Sequence, residues 1–239
     1  MKREIKGVIF DLDNTLIDSS SMIKNADSAI LEEMKRDFKQ INEELFRDIL
    51  SKTDEEFKAV PYKERYGKLF YEIFGRLSGL EFGRGHTERY SSIFEEYLFN
   101  RFEFTEGAEE TIKRLKEAGL RIGLLTGEGM YPGSKKNTLN NIDFMRHFDI
   151  TVIAKESIDE SKKDVKAFIK TASLMDLRPE EILFVGDVPE LDIDNAKKAG
   201  MLTVLFDKYN GEKRRKSTFE PDYAVDDMRE LYSILNINA

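Results

Sequence analysis

The chain has 239 residues, 40% of them hydrophobic and 11% aromatic, enough to bury a full core and to exclude disorder as its main state. Its net charge of −8 disfavours nucleic-acid and anionic-membrane binding, and no apolar stretch approaches the length of a membrane span. Charged residues reach 35% and cysteine is absent, a profile expected of a cytoplasmic protein and shared with thermophile proteins rich in surface ion pairs.

Residues 6 to 18, KGVIFDLDNTLID, begin as a buried strand through Val8, Ile9 and Phe10 and run straight into Asp11 and Asp13. Burying an unpaired carboxylate is costly, so two at the end of a core strand call for a function. The next stretch reads as helical. Ile23, Ala26, Ile30, Leu31, Met34 and Phe38 share one face, as do Tyr62, Tyr66, Leu69, Phe70, Ile73, Phe74 and Leu77, and then Tyr90, Ile93, Phe94, Tyr97 and Leu98. These aromatic stripes read as helix-packing core. No strand is expected between residues 18 and 102.

From Glu103 onward helices and strands alternate. Ala108, Ile112, Leu115 and Ala118 form a helix stopped by Gly119, and Arg121 to Leu125 is a strand ending at Thr126. A strand over Ile150 to Ala154 precedes a helix carrying Val165, Phe168, Ile169, Ala172 and Met175, with Pro179 beyond it. Ile182 to Val185 is the next strand and runs into Gly186 and Asp187. A helix with Ile193, Ala196 and Ala199 stops at Gly200, and Thr203 to Phe206 closes the pattern. Short apolar strands separated by amphipathic helices predict an α/β core with a parallel sheet, interrupted after its first strand by an all-helical insertion. The core is assigned to residues 1–17 and 103–239, the insertion to 18–102. A basic run, Lys213 to Lys216, reads as a solvated turn. The Gly-rich stretches TGEGMYPG and FGRGHTER match no nucleotide-binding fingerprint and read as loops.

Ligands of an open α/β sheet bind beyond the carboxyl ends of its strands. Those ends supply Asp11, Asp13, Thr126 and Asp187, with the pair Lys162 and Lys163 nearby. Acids gathered at one rim need a neutralising cation, and a hard divalent ion such as Mg2+ suits oxygen ligands. Residues i and i+2 of extended backbone share a face, so Asp11 and Asp13 can divide nucleophilic attack from proton transfer.

At this point the chain resembles the haloacid dehalogenase (HAD) superfamily. Asp11-Leu12-Asp13-Asn14-Thr15 is similar to its first motif, Asp-x-Asp-x-Thr. Thr126 matches the second-motif hydroxyl residue, Lys162 the third-motif lysine, and Gly186-Asp187 through Asp192 the fourth motif, all in family order. The helical insertion resembles the C1 cap of subfamily I. The resemblance implies a Rossmann-like core with that cap, and a Mg2+-dependent phosphatase that hydrolyses a small phosphomonoester metabolite through an aspartyl phosphate.

By the same resemblance, Asp11 is the nucleophile and a metal ligand. Asp13 is the general acid and then base, its backbone carbonyl reaching the metal. Asp187 is the further acidic metal ligand. Thr126, Gly127 and Lys162 hold the phosphoryl group, with Lys163 the alternative to Lys162. Asp192 and Thr15 support these residues from behind, and Arg84 and His86 are candidate cap contacts with substrate. Dehalogenases of the superfamily lack the second Asp of the first motif, so Asp13 argues against halide displacement. A sugar phosphomutase and a HAD-like binding protein without turnover are the alternatives. The chain departs from the family pattern in placing Gly127-Glu128 where Asn usually follows Thr, Lys163 where Pro is usual, and Leu191 where Asn is common.

Overall fold

Val8, Ile9 and Phe10 are fully buried at the middle of a six-stranded parallel sheet. The computed structural model describes residues 4–209 and 217–237, so the basic run Lys213 to Lys216 lies outside the described residues. The strands are β1 (Gly7–Phe10), β2 (Arg121–Thr126), β3 (Ile150–Ile153), β4 (Ile182–Gly186), β5 (Leu202–Phe206) and β6 (Tyr223–Val225), in the spatial order β3-β2-β1-β4-β5-β6. Every neighbouring pair is parallel, with Phe10 beside Leu124 on one side and Val185 on the other. Burial on both faces explains the unbroken apolar strands. Between β1 and β4 the strand order reverses direction, which is where sheets of this order open a crevice for ligands.

Chain segments form two compact units. The α/β unit gathers the described residues up to Asp18, Glu103–Glu128 and those from Ile142 onward. The expected Rossmann-like core is thus present. Its helices are α5 (Ala108–Glu117), α7 (Val165–Leu174), α8 (Asp194–Ala199) and α9 (Leu231–Leu235). One sheet face packs Ile9, Leu125 and Phe184 against Phe168 and Ala172 of α7 and Ala196 of α8. The three-residue β6 was not expected from sequence. Two of its residues are exposed, and its strand character comes from pairing with β5 at the sheet edge.

The helical unit gathers Ser19–Phe102 and, in addition, Gly129–Asn141. It holds α1 (Ser19–Asp37), α2 (Glu43–Ala59), α3 (Leu69–Ser78), α4 (Arg84–Phe99) and α6 (Ser134–Asn140), with no strand among them. Its core is aromatic: Phe46, Phe57, Phe70, Tyr71, Phe74 and Tyr90. The expected helix starting at Tyr62 is shorter than its apolar pattern. Residues 62–64 form a 3-10 turn, Tyr66 is exposed, and the helix begins at Leu69. Ile23 is likewise exposed rather than on the buried stripe of α1. Helix α2 was not singled out within the stretch read as helical, although Phe46, Ile49, Thr53 and Phe57 form its buried face at helical spacing. It is started by the Asn42 side chain, which accepts from the Leu45 N–H, and carries i,i+4 ion pairs Arg47–Glu43, Lys52–Asp48 and Lys58–Asp54. The stretch TGEGMYPG, expected to be loop, runs directly into α6.

Candidate active site

Asp11 directly follows β1, and its N–H donates to the Val185 carbonyl at 2.9 Å, prolonging the ladder to β4 by one residue. The chain then turns back sharply. Thr15, Leu16 and Ile17 all direct their N–H groups at the Leu12 carbonyl, while Leu12 itself is fully buried. Asn14 sits at φ 53°, a left-handed conformation that Asn tolerates better than most residues. This turn leaves Asp11 buried and Asp13 half-buried.

From β4 comes the second arm. Asp187 is 3% exposed, and residues Pro189–Ile193 form a single π-helical turn that contains Asp192. Such turns recur at functional sites because they re-aim side chains. Here the turn folds Asp192 back under Gly186, where its Oδ2 accepts from the Val188 N–H at 3.0 Å.

Lys162 joins the two arms. Its Nζ lies 2.5 Å from Asp11 Oδ1 and 2.7 Å from Asp192 Oδ1, with 5% of the residue exposed. The contact with Asp11 is a hydrogen bond, and that with Asp192 is an ion pair without hydrogen-bond alignment. Lys163 is exposed, so the choice between the two lysines falls on Lys162 by position. Thr126, at the end of β2, is fully buried and its Oγ1 has no hydrogen-bond partner. Thr15 is in the same condition.

One carboxylate oxygen each of Asp11, Asp187 and Asp192 lies within 4.8 Å of the others. Three buried carboxylates face one ammonium, so the cluster carries excess negative charge. Burial pushes Asp11 up to about 7, with Asp192 and Asp13 adding to the shift and Lys162 opposing it. Burial likewise pushes Asp187 up to about 8, helped by Asp11 and Asp192. Burial by itself would lower Lys162, but Asp11 and Asp192 reverse that and hold its ammonium above the usual lysine range. An all-oxygen donor set short of positive charge fits a hard divalent cation. The triad contains the expected carboxylates of Asp11 and Asp187 and adds that of Asp192, while Asp13 was expected to reach a metal through its backbone carbonyl and not its carboxylate. Asp192 Oδ2 accepts from the Val188 N–H, while its Oδ1 is ion-paired with Lys162 and has no hydrogen-bond partner among the described residues.

A family model described as haloacid dehalogenase-like hydrolase matches residues 8–206. The chain belongs to that family. A HAD-like hydrolase matched along nearly its full length is the glyceraldehyde 3-phosphate phosphatase of Methanopyrus kandleri, 28% identical over 97% of this chain and 97% of the relative. The pyrophosphatase PpaX of Bacillus mycoides is 25% identical over 98% of both chains. Among solved structures, the putative HAD hydrolase YfnB of Bacillus subtilis, bound to magnesium, superposes with a TM-score of 0.70 at 17% identity, covering 98% of this chain and 100% of that one. The last likeness is one of fold.

The remaining candidates of this HAD-like hydrolase are Gly127, Arg84 and His86. Gly127 is half-buried just past Thr126, and Glu128 is exposed. Arg84 opens α4 and is exposed. His86 does structural work within the helical unit. Its Nδ1 accepts from the Gly83 N–H at 3.0 Å, and its ring packs against Phe38, Phe82 and Tyr90. Sequence reasoning missed Asn195, a buried amide on α8 that touches the Lys162 backbone. Its only signal was a polar residue placed among the apolar positions of that helix.

Proposed function

We propose that this hydrolase is a Mg2+-dependent phosphatase acting on a small phosphomonoester through an aspartyl phosphate on Asp11. The observation that carries the reading is Lys162 clasped between Asp11 and Asp192 at the reversal point of the sheet. The phosphatase names of the curated relatives support it.

Asp11 and Asp187 would hold Mg2+, together with the backbone of Asp13. When bound, the ion supplies positive charge that lets a carboxylate approach a phosphate dianion. The Asp11 carboxylate attacks phosphorus while the bond to the leaving oxygen breaks, and Asp13 delivers a proton to that oxygen. Water then attacks phosphorus, Asp13 takes its proton back, and the bond to Asp11 breaks to release inorganic phosphate. Lys162 and the Thr126 hydroxyl donate to the phosphoryl oxygens, where charge accumulates in the transition state. The unpartnered Thr126 Oγ1 suits that task, because a buried hydroxyl costs stability until something bonds it. The helical unit serves as the cap, excluding water during the reaction and selecting the substrate, with Arg84 as a contact.

The test is hydrolysis of p-nitrophenyl phosphate with Mg2+, with chelator, and by Asp11→Asn. Metal-dependent turnover that drops by about three orders of magnitude in the variant is expected. Turnover equal in wild type and variant refutes the reading.

A further inference from the structure

The geometry points to Asn195 as the positioning residue that holds Lys162 in the catalytic cluster. Lys162 lies in a turn between β3 and α7, so neither a sheet ladder nor a helix fixes its backbone. Its side chain must nevertheless meet two carboxylates at once. The amide nitrogen of Asn195, on α8, reaches the Lys162 carbonyl at 3.3 Å and the Leu191 carbonyl at 2.9 Å. A side-chain amide has two N–H donors, and here one goes to each carbonyl. Leu191 immediately precedes Asp192 in the π-helical turn. One side chain therefore ties the backbone of the cation to the backbone beside its acidic partner.

An asparagine is a poor choice for this place on general grounds. It is less helix-favouring than alanine, and it is buried, with 5% exposed. Packing alone would be met by a small apolar residue such as Ala196, its neighbour on the same helix. The amide is tolerated because it is bonded to those two carbonyls. Losing it frees the turn carrying Lys162 and the Leu191 carbonyl beside Asp192, while removing no carboxylate of the cluster. The neighbouring Asp194 offers a built-in contrast. Its carboxylate accepts from the Ser217 hydroxyl and from the N–H groups of Thr218 and Phe219, and so braces the same helix with no bond to Lys162.

The role as part of a phosphatase rests on the function proposed above, so the test has one readout that needs no activity. Lys162 and the exposed Lys163 compete for an amine-acetylating reagent, and peptide mass spectrometry reads their labelling ratio in wild type, Asn195→Ala and Asp194→Ala. In parallel, inorganic phosphate is titrated as a product inhibitor. Asn195→Ala is expected to raise both the Lys162/Lys163 labelling ratio and the phosphate inhibition constant about tenfold, and to lower kcat/KM by about ten- to a hundredfold. Asp194→Ala is expected to lower the melting temperature and leave labelling and phosphate affinity as in wild type. Wild-type labelling in Asn195→Ala, or equal changes in both variants, overturns the inference. Absence of hydrolysis by wild type overturns the proposed function instead, and the labelling ratio still decides the part played by Asn195.

Discussion

Gly186 and Asp192 are packed so tightly that a Cβ on Gly186 would lie 2.5 Å from Asp192 Oδ2 and 2.6 Å from its Cγ. Strand β4 thus ends in glycine because the returning π-helical turn lays a carboxylate across its backbone. Gly186→Ala forces the whole Asp192 side chain to move, and with it the ion pair to Lys162. Overpacking of this kind costs about 1–3 kcal/mol, or roughly 2–4 °C in melting temperature per kcal/mol for a chain of this size. A lower melting temperature together with at least about a tenfold loss in kcat/KM is expected, read by thermal unfolding and a phosphatase assay.

Thr126 offers the opposite combination. Its hydroxyl is buried without a partner, so replacing it by a methyl group removes a polar atom that gains nothing in the unliganded protein. Thr126→Val is expected to unfold at the same temperature as wild type or slightly above it, while the inhibition constant for inorganic phosphate rises about tenfold. A variant that loses stability but keeps phosphate affinity contradicts the assigned role.

The metal-free cluster should make stability depend on pH in an unusual direction. Asp11 and Asp187 are raised to about 7 and about 8 from an unfolded value of 3.8. Between those limits the folded protein binds more protons than the unfolded chain, so its stability falls as pH rises from about 4 to about 8. Chelator-treated protein is expected to melt at a lower temperature at pH 8.5 than at pH 6, with a shallower slope in Asp187→Asn. Mg2+ should raise the melting temperature more at pH 8.5, where protons no longer compete for the carboxylates.

Glu181 titrates the other way. Hydrogen bonds from Arg178 and Lys6 hold its carboxylate down at about 2, against an ordinary value of 4.5. Its Oε1 accepts from Lys6 Nζ at 2.7 Å, and its Oε2 from the Arg178 N–H at 3.0 Å. A depressed acid contributes stability above its unfolded value and loses it as pH falls toward the folded one. The stability gap between wild type and Glu181→Gln should therefore be full at pH 6 and narrow steadily toward pH 3, measured by urea unfolding.

Much of this molecule follows from local pattern. Short apolar runs such as Ile182 to Val185, set between amphipathic helices and bounded by turn signals, read as strands buried on both faces, and parallel strands put their carboxyl ends along one rim. The sequence therefore places Asp11, Thr126 and Asp187 on one rim, because each closes or directly follows such a run. Residue spacing also marked Gly119 and Gly200 as helix stops, and both adopt the left-handed conformation that favours glycine. Strand β6 was not legible, since three residues paired at a sheet edge leave no apolar period to read, whereas α2 does carry a helical stripe of Phe46, Ile49, Thr53 and Phe57.

Other features were decided only by tertiary structure. Lys162 and Lys163 are equivalent as letters, and burial against Asp11 and Asp192 separates them. Residues 129–141 follow a core strand in the chain yet join the helical unit. There the Tyr131 hydroxyl donates to Glu95 at 2.6 Å and the Asn141 amide to the Phe99 carbonyl at 2.9 Å. His86 was a candidate substrate contact from its place in a Gly-flanked stretch, and only the fold shows that its Nδ1 caps α4 and its ring packs against Phe38. Asn195 matters only because folding brings the Lys162 carbonyl to it across 33 positions of sequence. Sequence by itself determined which residue types stand at the strand ends, since strand direction and apolar period are local properties. Which charges meet, and which amide holds them together, depends on contacts between distant segments, and those exist only once the chain has packed.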